Sequence, residues 1–410
     1  MKTRSKGVFR PSGRGTRGQR RTFAVLAGAA AVALGLAACS SGTPAGQTTN
    51  GSASGPITIG FAAGLSGVME PYESPALKGA QIAVDQINAK GGVLGRKLKI
   101  VTADTGSDIN ASTTTGKKIL DEGADVVITS IDLNFGGGTA SVAAAAGKVA
   151  MSIGGGSDGW GKLSPLVFSM GTSATSDSAA MAKWSSSKGY KSAYLLIDTS
   201  TDYAKEVCSK FGDDFTKAGG TVAGSDTFSN GDSSVAAQVT KIKSLPNPPD
   251  VIALCSYPPG GALVVKSLRA SGVDSPLVGP PGMAGDYWFK QTIPNLSDFY
   301  VVDWVSIWGD DPSPAINTLT KDFRSSGIDV QNSYGVMGYA AVNAFAKGIE
   351  KAGTTDGRAL AKAMSTFKDV EVPFSLSFTP DFHMDQSREY RVIGVTNGKP
   401  GLVGTVTPTP

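Results

Sequence analysis

From Ile57 onward the chain alternates between short strand-like apolar runs and segments whose apolar residues recur at helical spacing, and that alternation leaves few folds open. Ile57-Thr58-Ile59-Gly60-Phe61 reads as a strand, followed by a Gly/Ser-rich loop that carries Tyr72. Ser74-Pro75 then supplies an N-cap and a first-turn proline; Leu77, Ala80, Ala83, Val84 and Ile87 share one face, and Gly91-Gly92 stops the helix. The same unit repeats as strand 98–102, helix 109–122, strand 125–129, helix 138–148 and strand 149–153. A second series follows 168–172, with strands at 193–197, 221–228, 251–254 and 277–279 and helices at 203–218, 235–245 and 260–271. Strands separated by helices in this way need right-handed crossovers, which predicts an α/β protein with doubly wound parallel sheets.

The ends of the chain read differently. The first 38 residues hold eight Lys or Arg and no acid, and they finish in an apolar run from Phe23 to Ala38, the layout of a secretory signal peptide (1–38). At about 16 residues the run is shorter than the roughly 20 that a membrane-spanning helix needs. Leu36-Ala37-Ala38-Cys39 resembles the lipobox of bacterial lipoproteins, which predicts lipidation of Cys39 and a membrane anchor. Residues 40–55 carry no charge and no large apolar side chain, so 39–55 is expected to be a lipidated cysteine and a flexible tether. Gln19-Arg20-Arg21-Thr22-Phe23 also resembles a twin-arginine export motif, and export by either route stays open.

Removing the leader's eight cations turns a formal charge of +4 into about −4, with Lys and Arg scattered along what remains. Nucleic-acid binding wants a dense basic face, so no such partner is expected. About 355 residues lie beyond the tether, more than one core usually supports, and two lobes follow. Ligands in open parallel sheets sit beyond the carboxyl ends of strands, which directs attention to the loops at 132–138, 154–160, 198–203 and 256–261. The glycine runs at 136–138 and 154–156 lack the spacing of a dinucleotide loop, and neither a P-loop nor a G-x-S-x-G elbow occurs. The sole histidine, His383, has no companion cluster and reads as a surface or hinge residue, so neither metal nor cofactor is expected. For Cys208 and Cys255 a disulfide and two buried free thiols are both open.

Several segments resemble a known family. Residues 57–67 (ITIGFAAGLSG), 78–84 (KGAQIAV) and above all 87–97 (INAKGGVLGRK) are similar to the opening of leucine/isoleucine/valine-type binding proteins of ABC importers, in the lipoprotein form. The resemblance continues through Asp104, 123–128, 198–203, 249–252 and Gly279-Pro280. It implies a type I periplasmic binding fold of two lobes joined by three hinge crossings, expected near 168–172, 300–304 and 372–378. Lobe 1 would then take 56–170 plus about 304–372, and lobe 2 would take 171–303 plus about 373–410.

The family's pocket positions fall on Ile131, Asp132, Leu133 and Asn134 after strand three and on Gly156 and Ser157 after strand four, where exposed amides favour an anion. In the second lobe they fall on Tyr203 and Tyr257, two aromatic faces with a hydroxyl each. Two positions depart from the pattern. Asp132 repels a carboxylate, and the family's acid for a ligand ammonium lies near 279–282, where this chain has Pro281. Asp132 or Asp158 would instead receive an amine or hydroxyls, and Tyr72 and Met283 join the candidate ligand set. Phe135, Trp160, Trp304 and Trp308 are further candidates for apolar wall.

The expected function is an extracytoplasmic, lipid-anchored, monomeric solute-binding protein. It captures a small polar or amphipathic solute (amino-acid-like, amide or aromatic acid) between its lobes and delivers it to ABC permease subunits. The alternative is a ligand-sensing domain for a separate signalling partner; an enzyme is disfavoured.

Overall fold

The computed structural model describes residues 55–408, so the expected signal peptide and Cys39 lie outside the described residues. The chain first lays down β1 (Ile57–Ala63), α1 (Glu70–Ala89), β2 (Leu98–Asp104), α2 (Ser112–Asp121), β3 (Val126–Thr129), α3 (Leu133–Ala145), β4 (Val149–Ser152) and β5 (Val167–Ser169). These strands form a five-stranded sheet in the order β2-β1-β3-β4-β5, every pair parallel. β1 is buried at every position and β3 and β4 likewise, as expected for strands with helices on both faces.

The chain then crosses to α4 (Ala174–Ser187), β6 (Ser192–Asp198), α5 (Asp202–Lys217), β7 (Thr221–Phe228), α6 (Ala236–Lys243), β8 (Val251–Cys255), α7 (Gly260–Ala270), β9 (Leu277–Gly279) and β10 (Phe299–Asp303). It returns for α8 (Pro314–Ser325), α9 (Tyr334–Ala352) and α10 (Gly357–Met364), makes a short hairpin from β11 (Val370–Glu371) and β12 (Ser375–Leu376), and ends in β13 (Tyr390–Thr396) and β14 (Lys399–Val406). The second sheet runs β14-β13-β10-β9-β8-β6-β7. Two lobes are thus built on two sheets, and the chain passes between them after β5, after β10 and after β12.

Several expectations change. The second sheet is mixed, because β13 pairs antiparallel with both β10 and β14. The hairpin turns at Asn397-Gly398, both at positive φ (50° and 72°), the conformation a tight two-residue turn requires and Asn-Gly tolerates. The first helix begins earlier than Ser74-Pro75: Pro71 occupies its first turn, and Pro75 lies inside it. Pro75 has no N–H for the carbonyl of Pro71, and the Asn332 side-chain amide fills that place at 2.8 Å. α3 likewise begins before Gly138, so the 136–138 glycines sit in a helix. A Cβ on Gly138 would lie 2.7 Å from Thr113 Oγ1, so the glycine lets α3 press against α2.

α1 and α9 meet almost backbone to backbone. A Cβ on Gly79 would fall 1.9 Å from the Gly335 carbonyl oxygen, and one on Gly338 would fall 1.9 Å from that of Ala76. At its neighbour Gly335 the nearest atom to a Cβ is 3.5 Å away.

The three linking segments are knitted by a buried polar node. Asp177, at the start of α4, accepts hydrogen bonds from the hydroxyls of Thr172, Tyr203 (2.7 Å) and Tyr390. Thr172 Oγ1 in turn accepts from the Trp304 indole N–H at 2.8 Å. Arg388 donates to the Met170 carbonyl at 3.0 Å and lies over the Phe374 ring. His383 is buried here, not at the surface, stacked on Phe168 at 4.1 Å with Nδ1 3.0 Å from the Val167 carbonyl oxygen. Cys208 on α5 and Cys255 at the end of β8 are joined, Cα to Cα 5.6 Å.

Burial raises the carboxyl pKa values of Glu73, Asp177 and Asp303 to about 7, against the hydrogen bonds that favour their charged forms. Each folded carboxyl therefore holds a proton that the unfolded chain releases near pH 4, so the stability it contributes is lost as pH rises through about 7. His383, lowered by burial, acts in the opposite sense below its ordinary value. The melting temperature is expected to fall by several degrees between pH 5.5 and pH 8, as checked by calorimetry; a rise over that interval overturns the assignment. Gly338→Ala is expected to cost about 3 kcal/mol by denaturant unfolding, whereas Gly335→Ala is expected to be neutral or slightly stabilising.

Candidate functional site

Loops at the carboxyl ends of both sheets converge on one cavity of about 40 Å3, room for roughly three waters before the lobes part. The first lobe contributes Met69 and Tyr72 from the start of α1, Ile131 and Asp132 after β3, and Gly154 and Gly156 after β4. The second contributes Thr201, Tyr203 and Ala204 at the start of α5, Ser256 and Tyr257 after β8, and Pro281 and Gly282 after β9. Trp304, on the segment that leaves β10, and Tyr334, at the start of α9, complete the wall.

The glycine run 154–156 makes room for aromatic rings. A Cβ on Gly154 would lie 2.9 Å from Trp304, one on Gly155 2.0 Å from the Trp160 indole nitrogen, and one on Gly156 2.3 Å from the Tyr203 ring. The rings then touch one another edge to face, Tyr72 with Tyr334 at 5.1 Å and Tyr334 with Trp304 at 5.3 Å. These packings make a largely apolar, aromatic chamber.

Asp132 is the charged side chain in this wall. It caps α3, accepting from the Asn134 N–H at 2.8 Å. Burial, with the acids Asp202, Glu73 and Glu206 nearby, raises its pKa to about 7. Behind it Glu73 ties α1 to the ends of β1 and β3, taking the Gly64 and Ile131 amides and the Ser130 hydroxyl.

Of the residues singled out from sequence, Tyr72, Asp132, Gly156, Tyr203 and Tyr257 line the cavity. Leu133, Asn134, Ser157, Asp158 and Met283 do not. Asn134 faces across the mouth, exchanging hydrogen bonds with Asp202 (3.1 and 3.4 Å). Ser157 and the Asp158 amide both donate to Glu206 on α5, at 3.1 and 3.0 Å, and the Asp158 carboxylate pairs with Lys210. These residues link the lobes at the rim, and the Asp158 amide is spent on Glu206 while the Gly155 amide donates to Ser152. Met283 is fully buried, filling space that Gly261 and Gly279 leave open. Phe135 and Trp160 are buried in the first lobe, and Trp308 lies beside a different crevice, so of the four candidate wall residues Trp304 alone lines the cavity. The sequence does not mark Tyr334, which follows a stretch without periodicity at 326–333, nor Asp177, two of whose three hydroxyl partners, Tyr203 and Tyr390, lie 26 and 213 positions away.

A sequence profile of the periplasmic binding protein family matches residues 56–399. The Leu/Ile/Val-binding protein BraC3 of Rhizobium johnstonii is 25% identical over 318 residues, covering 77% of this chain and 84% of that protein. Among solved structures, the branched-chain amino acid transporter substrate-binding protein LivJ of Streptococcus pneumoniae, in complex with isoleucine, superposes with a TM-score of 0.78 at 24% identity, over 86% of this chain and 100% of that one. A solute-binding protein of an ABC transporter from R. palustris, in complex with benzoate, gives 0.75 at 19% identity, over 86% and 97%. With its two lobes, its cleft at the strand ends and a profile match across nearly all of the described residues, the chain belongs to the periplasmic binding protein family.

Proposed function

We propose that the protein captures a small polar or amphipathic solute in its interlobe cleft, outside the cytoplasm, and delivers it to the permease of an ABC importer. The observation that carries this reading is the composition of the cavity wall, which draws on both sheets and on the linking segment at Trp304. Parting the lobes takes such a site to pieces, so a solute that touches both halves binds the closed arrangement better than the open one. Occupancy and closure are thereby one equilibrium, and a permease that reads the closed outer surface reads occupancy.

The kinds of solute named for the relatives support the transport role more than any one ligand. Asp132 and Pro281 both depart from what a zwitterionic amino acid asks of this fold, so branched-chain amino acids are not carried over. The same reading extends to the leader: lipid on Cys39 holds a monomer at the membrane.

A thermal-shift screen of the purified protein against amino acids, amides, polyols, polyamines and aromatic acids tests the capture role. A ligand that binds only the folded state raises its melting temperature by mass action, and a set without a hit sinks the proposal. Tyr257→Ala is expected to weaken the confirmed hit by about 1–3 kcal/mol in calorimetry, because its ring leaves the wall. Tyr203→Ala is expected to do more, since it also strips a hydrogen bond from Asp177. Unchanged affinity in both removes the tyrosines from the account. Cys39→Ser is expected to release the protein from the membrane fraction, and retention there overturns the anchor.

A further inference from the structure

We propose that the solute is a small organic cation without a carboxylate, an amine whose charge meets Asp132 and whose carbon body lies among Tyr72, Tyr203, Tyr257, Trp304 and Tyr334. The inference rests on the capture reading above and names the ligand class for that same cleft.

The charges favour it first. Among the residues that line the cavity there is one carboxylate and no Lys, Arg or His. The charged groups packed around Asp132 are acids as well: Glu73 on α1, and Asp202 and Glu206 on α5. Two lysines stand near the rim, but Lys205 pairs with Asp202 at 2.6 Å and Lys210 with Asp158 at 3.4 Å. An anion entering this space meets like charge in a poorly solvated chamber; a cation meets a carboxylate with acceptor capacity left over, since among the described residues the Asp132 carboxylate accepts one hydrogen bond, from the Asn134 amide.

Many donors are unavailable to an anion. A bound carboxylate needs several N–H or O–H groups, and six of those around the cavity are spent inside the protein. Tyr203 donates to Asp177, Ser256 to Asp198 at 2.7 Å, and Tyr72 to the Gly282 carbonyl at 2.9 Å. The amides of Ile131, Gly155 and Asp158 go to Glu73, Ser152 and Glu206. The hydroxyls of Thr201, Tyr257 and Tyr334 and the amides of Gly156 and Tyr257 donate to nothing within the described residues; the hydroxyls can accept from an ammonium as well as donate, so the Asp132 charge sets the preference. The aromatic faces themselves attract a cation, most strongly where water is excluded.

The test is a calorimetric comparison of four probes that share an isobutyl group: isopentylamine, isovaleramide, isovalerate and leucine. The amine is expected to bind at least tenfold more tightly than the other three. Asp132→Asn, which keeps a capable N-cap on α3, is expected to erase that preference, and a variant that still prefers the amine tenfold overturns the role of Asp132; Asp132→Ser is a second variant should the first fold poorly. The amine's affinity is also expected to rise from pH 6 to pH 8 as Asp132 ionises among its acidic neighbours. If leucine, isovalerate or the amide matches the amine, or if a neutral or acidic compound from the wider screen outranks every amine, the cation class is overturned and capture stands. If no compound in either set binds, both fall.

Discussion

The carboxyl group of Asp177 is where the molecule is fastened. It sits on the first element of the second lobe and gathers hydroxyls from the first linking segment (Thr172), from the strand that follows the third (Tyr390) and from the cleft (Tyr203), while Trp304 of the second segment reaches it through Thr172. Three hydrogen bonds to a charged group are worth about 1.5–3 kcal/mol each, yet its pKa still rises to about 7, so the cost of removing the charge from water outweighs them. The node therefore holds geometry more than it adds stability. Because Tyr203 belongs to both the node and the cavity wall, a shift in the hinge moves a ring of the binding chamber.

Much of the fold was legible because parallel sheets write themselves as buried apolar runs spaced by amphipathic helices, and 277–279 read from the sequence coincides with β9, buried throughout; 221–228 coincides with β7 although that edge strand is mostly exposed. The final hairpin was equally legible in principle, since Asn397-Gly398 between two apolar runs is a strong turn signal. The start of α1 was misjudged for a physical reason: Pro75 mimics a first-turn proline, and its tolerance deeper in the helix depends on Asn332, 261 positions from the carbonyl it serves.

The site divides along similar lines. Residues on loops directly after strands, such as Asp132, Gly156 and Tyr257, were reachable from strand order alone. Tyr334 was not, because it stands at the start of α9, a helix packed on α1 that the chain reaches only after β6 to β10 are laid down. The glycines at 154–156 were seen as a run but not as a cause. None of the three is at positive φ, and what each avoids is a ring, Trp304, Trp160 or Tyr203. Small residues there decide how closely the aromatic wall draws in, and so how little room a solute has.

The contact between α1 and α9 carries a consequence for how the protein comes into being. Gln86 and Tyr339, which bond across that contact, are 253 positions apart, and the glycine faces around them leave no space for anything but each other. As the chain emerges from the ribosome its first lobe has a complete sheet long before it has the helix that covers α1, and an apolar groove stays uncovered while the entire second lobe is made. Such late, distant closure slows folding and exposes sticky surface on the way. A nascent chain of this design therefore has a natural waiting period in which it is soluble only with help, and it ends when the return helices arrive.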